Sequence, residues 1–271
     1  MKCCGLFTRS VNKTKTTIDL NDRCIGCLLC HMIGDQLGAG VEGYSAAKIK
    51  SEYGTLCDDV AAPHMGVEEL GPRIHMYTDD TNSMLALAHS LVTNRGLKPK
   101  HAAQSYAQFW STGVKRGYPE SAQASMQTIA RTRTMKNQIK LLIGLHTAQS
   151  KKTSANIQKT DIDVVQALGN TFQLKAIEAV PCALWIVCTG YREPEECLVR
   201  GVNMGGDTDT VAAIIGDIIG ALHGWKWIPA RWYNNIEPNS EENMGRGKEY
   251  AIELAKKLAT MNLNTILDDD N

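Results

Sequence analysis

The sequence predicts an all-α domain, and three observations carry that expectation. Apolar residues recur at helical spacing along nearly the whole chain. No segment of strict alternation is bounded by hairpin turns. No repeat of solenoid period appears either. The chain has 271 residues and is 43% hydrophobic, enough to bury a sizeable core. It contains only 3 Phe, so that core is expected to be built from Ala, Val, Ile, Leu and Met.

Taken in order, a polar, basic arm is expected over residues 1–18, one domain over 19–264 and an acidic tail over 265–271. A first helix is expected from Arg23 to Leu37, capped by Asn21 or Asp22 and stopped at Gly38-Ala39-Gly40. A second opens near Thr81 and runs to Gly96. Further helical patterns cover 100–111, 121–142, 162–168, 175–187, 194–202, 211–222 and 241–261. Two of these helices carry small residues every fourth position: Gly26, Cys30, Gly34 and Gly38, and Ala212, Gly216, Gly220 and Gly224. A helical Gly costs about 1 kcal/mol relative to Ala, so such rows imply close backbone approach. These two helices are expected to form the packed centre.

Composition excludes some functions. The stretch from Val211 to Trp225 contains Asp217 and His223 and is too short to span a bilayer, so no membrane role is expected. The 9 cysteines fit a reducing, intracellular setting. With 29 Lys+Arg against 29 Asp+Glu, a dedicated nucleic-acid binder is not expected. The acid-free segment from Ser121 to Thr160, with Arg131, Arg133, Lys136, Lys140, Lys151, Lys152 and Lys159, is the exception. It reads as a solvated face, or as a contact for an anionic substrate or partner.

The chemistry is expected in the acidic segments. Thr78-Asp79-Asp80-Thr81 opens one helix; Asp207-Thr208-Asp209-Thr210, preceded by Gly205-Gly206, opens another. Alone, each has a plain explanation as an N-cap with acids in the first turn. With Glu42 just past the first helix, the set reads differently. If these five carboxylates converge, each pair at 4 Å repels by about 4 kcal/mol at an effective dielectric of about 20. Two divalent cations would leave a charge of about −1. Carboxylate and hydroxyl oxygens, with Thr78 and Thr210 adding neutral ones, suit Mg²⁺ or Mn²⁺ rather than zinc. Gly205 and Gly206 would let backbone approach a substrate closely.

These residues resemble the ADP-ribosylglycohydrolases, relatives of dinitrogenase-reductase-activating glycohydrolase and of the ADP-ribosylhydrolases. The resemblance rests on Gly34-Asp35-Gln36-Leu37-Gly38 with Glu42, on Thr78-Asp79-Asp80-Thr81 with Met84, and on Gly205-Gly206-Asp207-Thr208-Asp209-Thr210 with Ala212-Ala213-Ile214. It spans roughly Asp22 to Trp232. It implies an orthogonal helical bundle with two Mg²⁺ (or Mn²⁺) held by Thr78, Asp79, Asp80, Asp207, Asp209 and Thr210. Glu42 matches the family glutamate near the metals; Glu42 or Asp80 would act in catalysis, and Gly205 and Gly206 in substrate binding. The implied reaction hydrolyses the bond from ADP-ribose to a protein side chain or small-molecule acceptor.

One departure matters. Many family members carry an Asn-Gly-containing loop against the diphosphate after an Arg-Gly-Tyr stretch. Here Arg116-Gly117-Tyr118 is present, yet Gly144 is the only glycine between Tyr118 and Asp161. An ADP-ribose-binding homologue with weak or no activity is therefore the alternative, with a phosphoesterase behind it. Cys24, Cys27, Cys30 and His31 are read as helix packing rather than a zinc site. Asp35 is read as structural, Asp217 as solvent-facing or locally paired, and Trp225, Trp227 and Trp232 as packing. His75 and Tyr77 are candidates for the cleft wall.

Overall fold

The computed structural model describes residues 18–60, 74–131, 160, 161, 163 and 172–261. Among these the elements are α1 (Leu20–Ala39), α2 (Ala46–Tyr53), α3 (Asp79–Asn94), α4 (Pro99–Ser111), α5 (Glu120–Arg131), α6 (Ala176–Gly190), α7 (Pro194–Asn203), α8 (Thr208–His223), α9 (Ala230–Tyr233) and α10 (Lys248–Ala259). No strand occurs among the described residues; an isolated antiparallel bridge joins Ser45 to Gly205. No helix there is long and apolar enough to cross a membrane. Most of the expected helix over 162–168, of which residue 163 is described and helical, lies outside the described residues, as do most of the basic segment and nearly all of both terminal stretches.

Helix α1 lies along α8 as the most extensive helix pair of the bundle, with α10, α7 and α3 also against α1. The small-residue rows explain the intimacy. A Cβ on Gly34 would lie 2.2 Å from the Ala212 carbonyl oxygen, and one on Gly216 2.1 Å from that of Cys30. Only hydrogen fits there. Around this seam, Leu29, Met32, Leu85, Ile186, Leu198, Ile215 and Ile219 are fully buried. Phe109 is the buried Phe of the described core, and Phe172 is exposed, in keeping with an aliphatic interior.

Several boundaries differ from expectation. Helix α1 starts earlier, because the Asp19 carboxylate accepts the Asp22 N–H at 2.7 Å and makes Asp19 the cap. Asp22 instead pairs with Lys226 at 2.6 Å. Helix α2 has a short signal with one buried apolar residue, Ile49, but Ser45 caps it through the Lys48 N–H at 3.2 Å. The last helix starts at Lys248 rather than at 241. Met244 (φ 58°) and Gly245 (φ 70°) turn the chain there, and Gly247 presses against the Pro238 carbonyl.

Candidate metal centre

The acidic segments meet at one end of the α1–α8 pair. A Cβ on Gly38 would lie 2.4 Å from the Asp209 Cα, so the C-terminal turn of α1 packs directly on the first turn of α8. Thr208 Oγ1 donates to the Gly38 carbonyl at 2.9 Å and fastens that contact. Just beyond α1 the chain bends back over the glycine pair. The Gly43 N–H donates to Gly206 O at 2.8 Å and the Gly206 N–H to Tyr44 O at 2.9 Å. Gly205 and Gly206 have φ of 78° and 86°, and a Cβ on Gly205 would meet Ala46 N at 2.5 Å. This interlock carries Glu42 to the start of α8.

As a result, one oxygen from each of Glu42, Asp207 and Asp209 lies within 4.8 Å of the others. Trans oxygens around a hard cation with bonds of about 2.1–2.6 Å lie roughly 4.2–5.2 Å apart, so the trio has the dimensions of an ion site. Asp79 and Asp80 are not in that trio. They stand at the start of α3, and Asp80 reaches α8 because Thr210 Oγ1 donates to Asp80 Oδ2 at 2.8 Å. Thr78 is buried as the α3 N-cap, its hydroxyl accepting the Asp80 N–H at 3.2 Å.

The electrostatics are those of crowded acids. Burial, followed by the charges of Asp80 and Asp35, pushes Asp79 up to about 8. Burial and then Asp35 push Asp80 up to about 7, against the pull of His31 and the Thr210 hydrogen bond. Burial and Glu42 hold Asp209 well above the usual carboxylate range. Glu42 lies on the exposed rim, yet desolvation by its surroundings, with Asp207 and Asp35, still raises it. No Lys or Arg forms an ion pair with these five carboxylates among the described residues. Oxygen-only donors, short of positive charge, fit a hard divalent cation.

A family model described as ADP-ribosylglycohydrolase matches residues 16–156 and 121–265. The chain belongs to the ADP-ribosylglycohydrolase family. The ADP-ribosyl-[dinitrogen reductase] glycohydrolase of Rhodospirillum rubrum is 22% identical across 87% of this chain and 97% of its own length. ADP-ribosylhydrolase ARH3 of Bos taurus is 30% identical over 30% of this chain and 25% of that protein, so the likeness to it is confined to part of each. A solved structure titled ADP-ribosylglycohydrolase-related protein complex superposes with a TM-score of 0.54 at 24% identity, covering 90% of this chain and 99% of that one. The fold class expected from the sequence, an all-α bundle of this family, is the one found.

Within this family framework, other residues take definite places. Asp35 is fully buried and accepts the Thr78 and Thr81 N–H groups, so its structural role is to seat the start of α3. Tyr77 does not line the cleft: it is buried, and its hydroxyl donates to Arg246 O at 2.7 Å. His75 pairs with Asp59 at 2.9 Å and lines a cavity of about 170 Å³ that includes none of the motif carboxylates. Asp217 faces solvent, as expected, with its side chain 37% exposed, but its partner is distant in sequence: it binds His31 across the α1–α8 seam at 3.1 Å. The three tryptophans pack as expected, Trp232 buried with its Nε1–H on Cys57 O. Cys30 is buried in the seam, and Cys24, Cys27, Cys30 and His31 form no metal-sized group.

Two residues escaped the sequence reading. The Asp207 N–H donates to Phe172 O at 3.0 Å and to Gln173 Oε1 at 3.3 Å. Gln173 has a left-handed backbone (φ 47°) and is fully buried. Nothing in the local pattern marks a Phe-Gln pair 34 residues upstream as the clamp of a metal-motif loop.

Proposed function

We propose that this chain is a divalent-cation-dependent hydrolase releasing ADP-ribose from a protein side chain or small-molecule acceptor, by cleaving the N- or O-glycosidic bond at the distal ribose. The observation that carries this reading is the convergence of Glu42, from the loop after α1, on Asp207 and Asp209 at the start of α8. Family membership supports the reaction class.

In this reading Thr78, Asp79, Asp80, Asp207, Asp209 and Thr210 hold two Mg²⁺ or Mn²⁺ ions. When bound, the cations supply Lewis acidity toward the attacking water and the ribose hydroxyls, and neutralise the crowded acids. Glu42, on the open rim beside the ion that Asp207 and Asp209 would hold, takes the proton from the attacking water as general base through the oxygen turned away from that ion. Asp80 stabilises the positive charge that builds at the anomeric carbon, and Thr210 keeps its Oδ2 turned inward. Gly205 and Gly206, expected to face the substrate, are buried under the backbone of residues 43–46 and instead let that loop close on the start of α8. The Gly206 N–H is already bonded to Tyr44 O, so the pair positions Glu42 and Asp207 rather than binding substrate itself.

The test is to incubate the metal-loaded protein with ADP-ribosyl-arginine and ADP-ribosyl-serine peptides and to follow the products chromatographically. Metal-dependent release of free ADP-ribose is expected, with Glu42→Gln about 10²- to 10⁴-fold slower at unchanged metal content. Binding without release would favour the ADP-ribose-binding alternative, and release of AMP or phosphate the phosphoesterase.

A further inference from the structure

Helix α6 has apolar side chains on every side, yet one of its faces is open. Between Ala176 and Gly190 its only charged residue is Glu178, and that side chain is buried. Ala179, Cys182, Ala183, Ile186 and Val187 are buried on the side packed against α7 and α8. On the opposite side, Ile177, Val180, Leu184 and Tyr191 are 36–43% exposed, and Cys188 is exposed with them. Successive gaps of three or four residues put these five on one stripe. Tyr191 continues the last turn as the C-cap, its N–H on Val187 O. Leu174, 71% exposed, lengthens the stripe at the other end. The surface of α10, by contrast, carries Glu253, Lys256 and Lys257.

A helix that is apolar all round belongs in an interior, and an open stripe of this kind marks a contact surface. A bilayer is a poor occupant. Helix α6 is too short to cross one, and no Lys or Arg stands on its open face to hold it at an anionic membrane surface. Charge is confined to its two ends, and the ends differ in sign. Lys175 precedes the helix; Arg192 and Glu193 follow it, all three exposed. Arg192 turns back on its neighbour, with Nε 3.4 Å from the Tyr191 hydroxyl. Glu193 and the exposed Glu196 then make that end acidic. Neither Lys175 nor Glu193 is ion-paired among the described residues.

We propose that the α6 stripe is a self-association surface, on which two copies of this chain pair antiparallel about a two-fold axis at Leu184. That single choice of axis fixes every other contact. Leu184 packs on the second copy's Leu184, Val180 on its Cys188, Ile177 on its Tyr191 and Leu174 on its Pro194. Lys175 meets the second copy's Glu193, and the symmetry repeats that pair at the far end. Apolar thus faces apolar and positive faces negative throughout. A parallel pairing would instead set Lys175 beside Lys175 and Glu193 beside Glu193. The stripe is one helix wide, narrower than the roughly 800 Å² per partner of a standard interface, so a reversible dimer with Kd of about 10 µM is expected. The pairing does not depend on the carboxylate cluster being a metal centre.

Sedimentation equilibrium of the full chain from about 1 µM to about 200 µM, with reductant to keep Cys188 a thiol, tests this. The wild type should pass from monomer to dimer across that range, an arm that needs no variant to fold. Leu184→Lys sets two like charges against each other on the axis and should weaken association by about 100-fold or more. Lys175→Glu and Glu193→Lys should each weaken it about tenfold, and the two together should restore it to within about threefold of wild type. A parallel pairing or a shifted register would not give that rescue. A wild type that stays monomeric throughout would overturn the proposal. In that case a lowered melting temperature for Leu184→Lys would show the face covered within the chain, and an unchanged one would leave it to a different partner. A dimer that survives Leu184→Lys, or a double reversal that fails to restore association, would overturn it equally.

Discussion

The carboxylate of Asp35 receives the backbone N–H of Thr78 on both its oxygens, at 3.1 and 3.0 Å. A third N–H, from Thr81, lies 3.0 Å from Oδ2. One acid on α1 thus fixes the first turn of α3, and with it the direction of Asp79 and Asp80. Because Asp35 is fully buried, Asn in its place would present an amide N–H₂ where donors already point. Asp35→Asn is expected to lose about 2–3 kcal/mol in urea denaturation and to bind Mg²⁺ more weakly. Full stability with native metal affinity would refute the bracing role.

A second brace lies under the same segment. Arg116 donates two bonds of 2.8 Å to Glu237 and one of 2.9 Å to Tyr77 O, and its guanidinium lies 3.5 Å from the Tyr77 ring centroid. Removing one partner leaves a buried charge unanswered. Arg116→Met should therefore cost about 3–5 kcal/mol, measured as a shift of the denaturant midpoint.

The glycine seam separates steric from conformational cost. Gly216→Ala would place a methyl 2.1 Å from a main-chain oxygen that cannot move independently. A loss above about 3 kcal/mol, or failure to fold, is expected. Gly245→Ala meets nothing within 4 Å but keeps φ at 70°, so about 1–2 kcal/mol should be lost. Thermal melts of the pair, ranked the other way, would contradict the packing.

Stability of the metal-free protein should fall as pH rises from about 4 to about 8. Asp79 and Asp80 are raised to about 8 and about 7 from an ordinary 3.8. The folded state then binds more protons than the unfolded one across this window. Their contribution is complete below the unfolded value and vanishes once pH passes the folded values. Denaturation at fixed temperature across this range reads the slope directly, and a metal-free protein that gains stability here would contradict it.

Divalent ions should reverse that trend. At a hundredfold excess over Kd, Mg²⁺ or Mn²⁺ should add about 2.7 kcal/mol, and the gain should grow with pH as competing protons leave. Asp207→Asn and Asp209→Asn should each abolish most of it in thermal-shift measurements.

The sequence by itself determined the helical class, the glycine rows of the two central helices and the acid segments at helix starts, because each is written in local spacing and composition. Helical periodicity announces a long helix, but a two-turn helix with one buried residue, such as α2, has too few repeats to be heard. Tertiary structure decided the rest. Which carboxylates form the trio depends on the Gly43–Gly206 interlock, and which acid braces α3 depends on α1 passing beneath it. The partner of His31 lies 186 positions away, and the clamp on Asp207 comes from a segment with no motif at all. Spacing along a chain records what lies within one turn of a helix; long-range approach of backbone to backbone is settled only when the whole core closes.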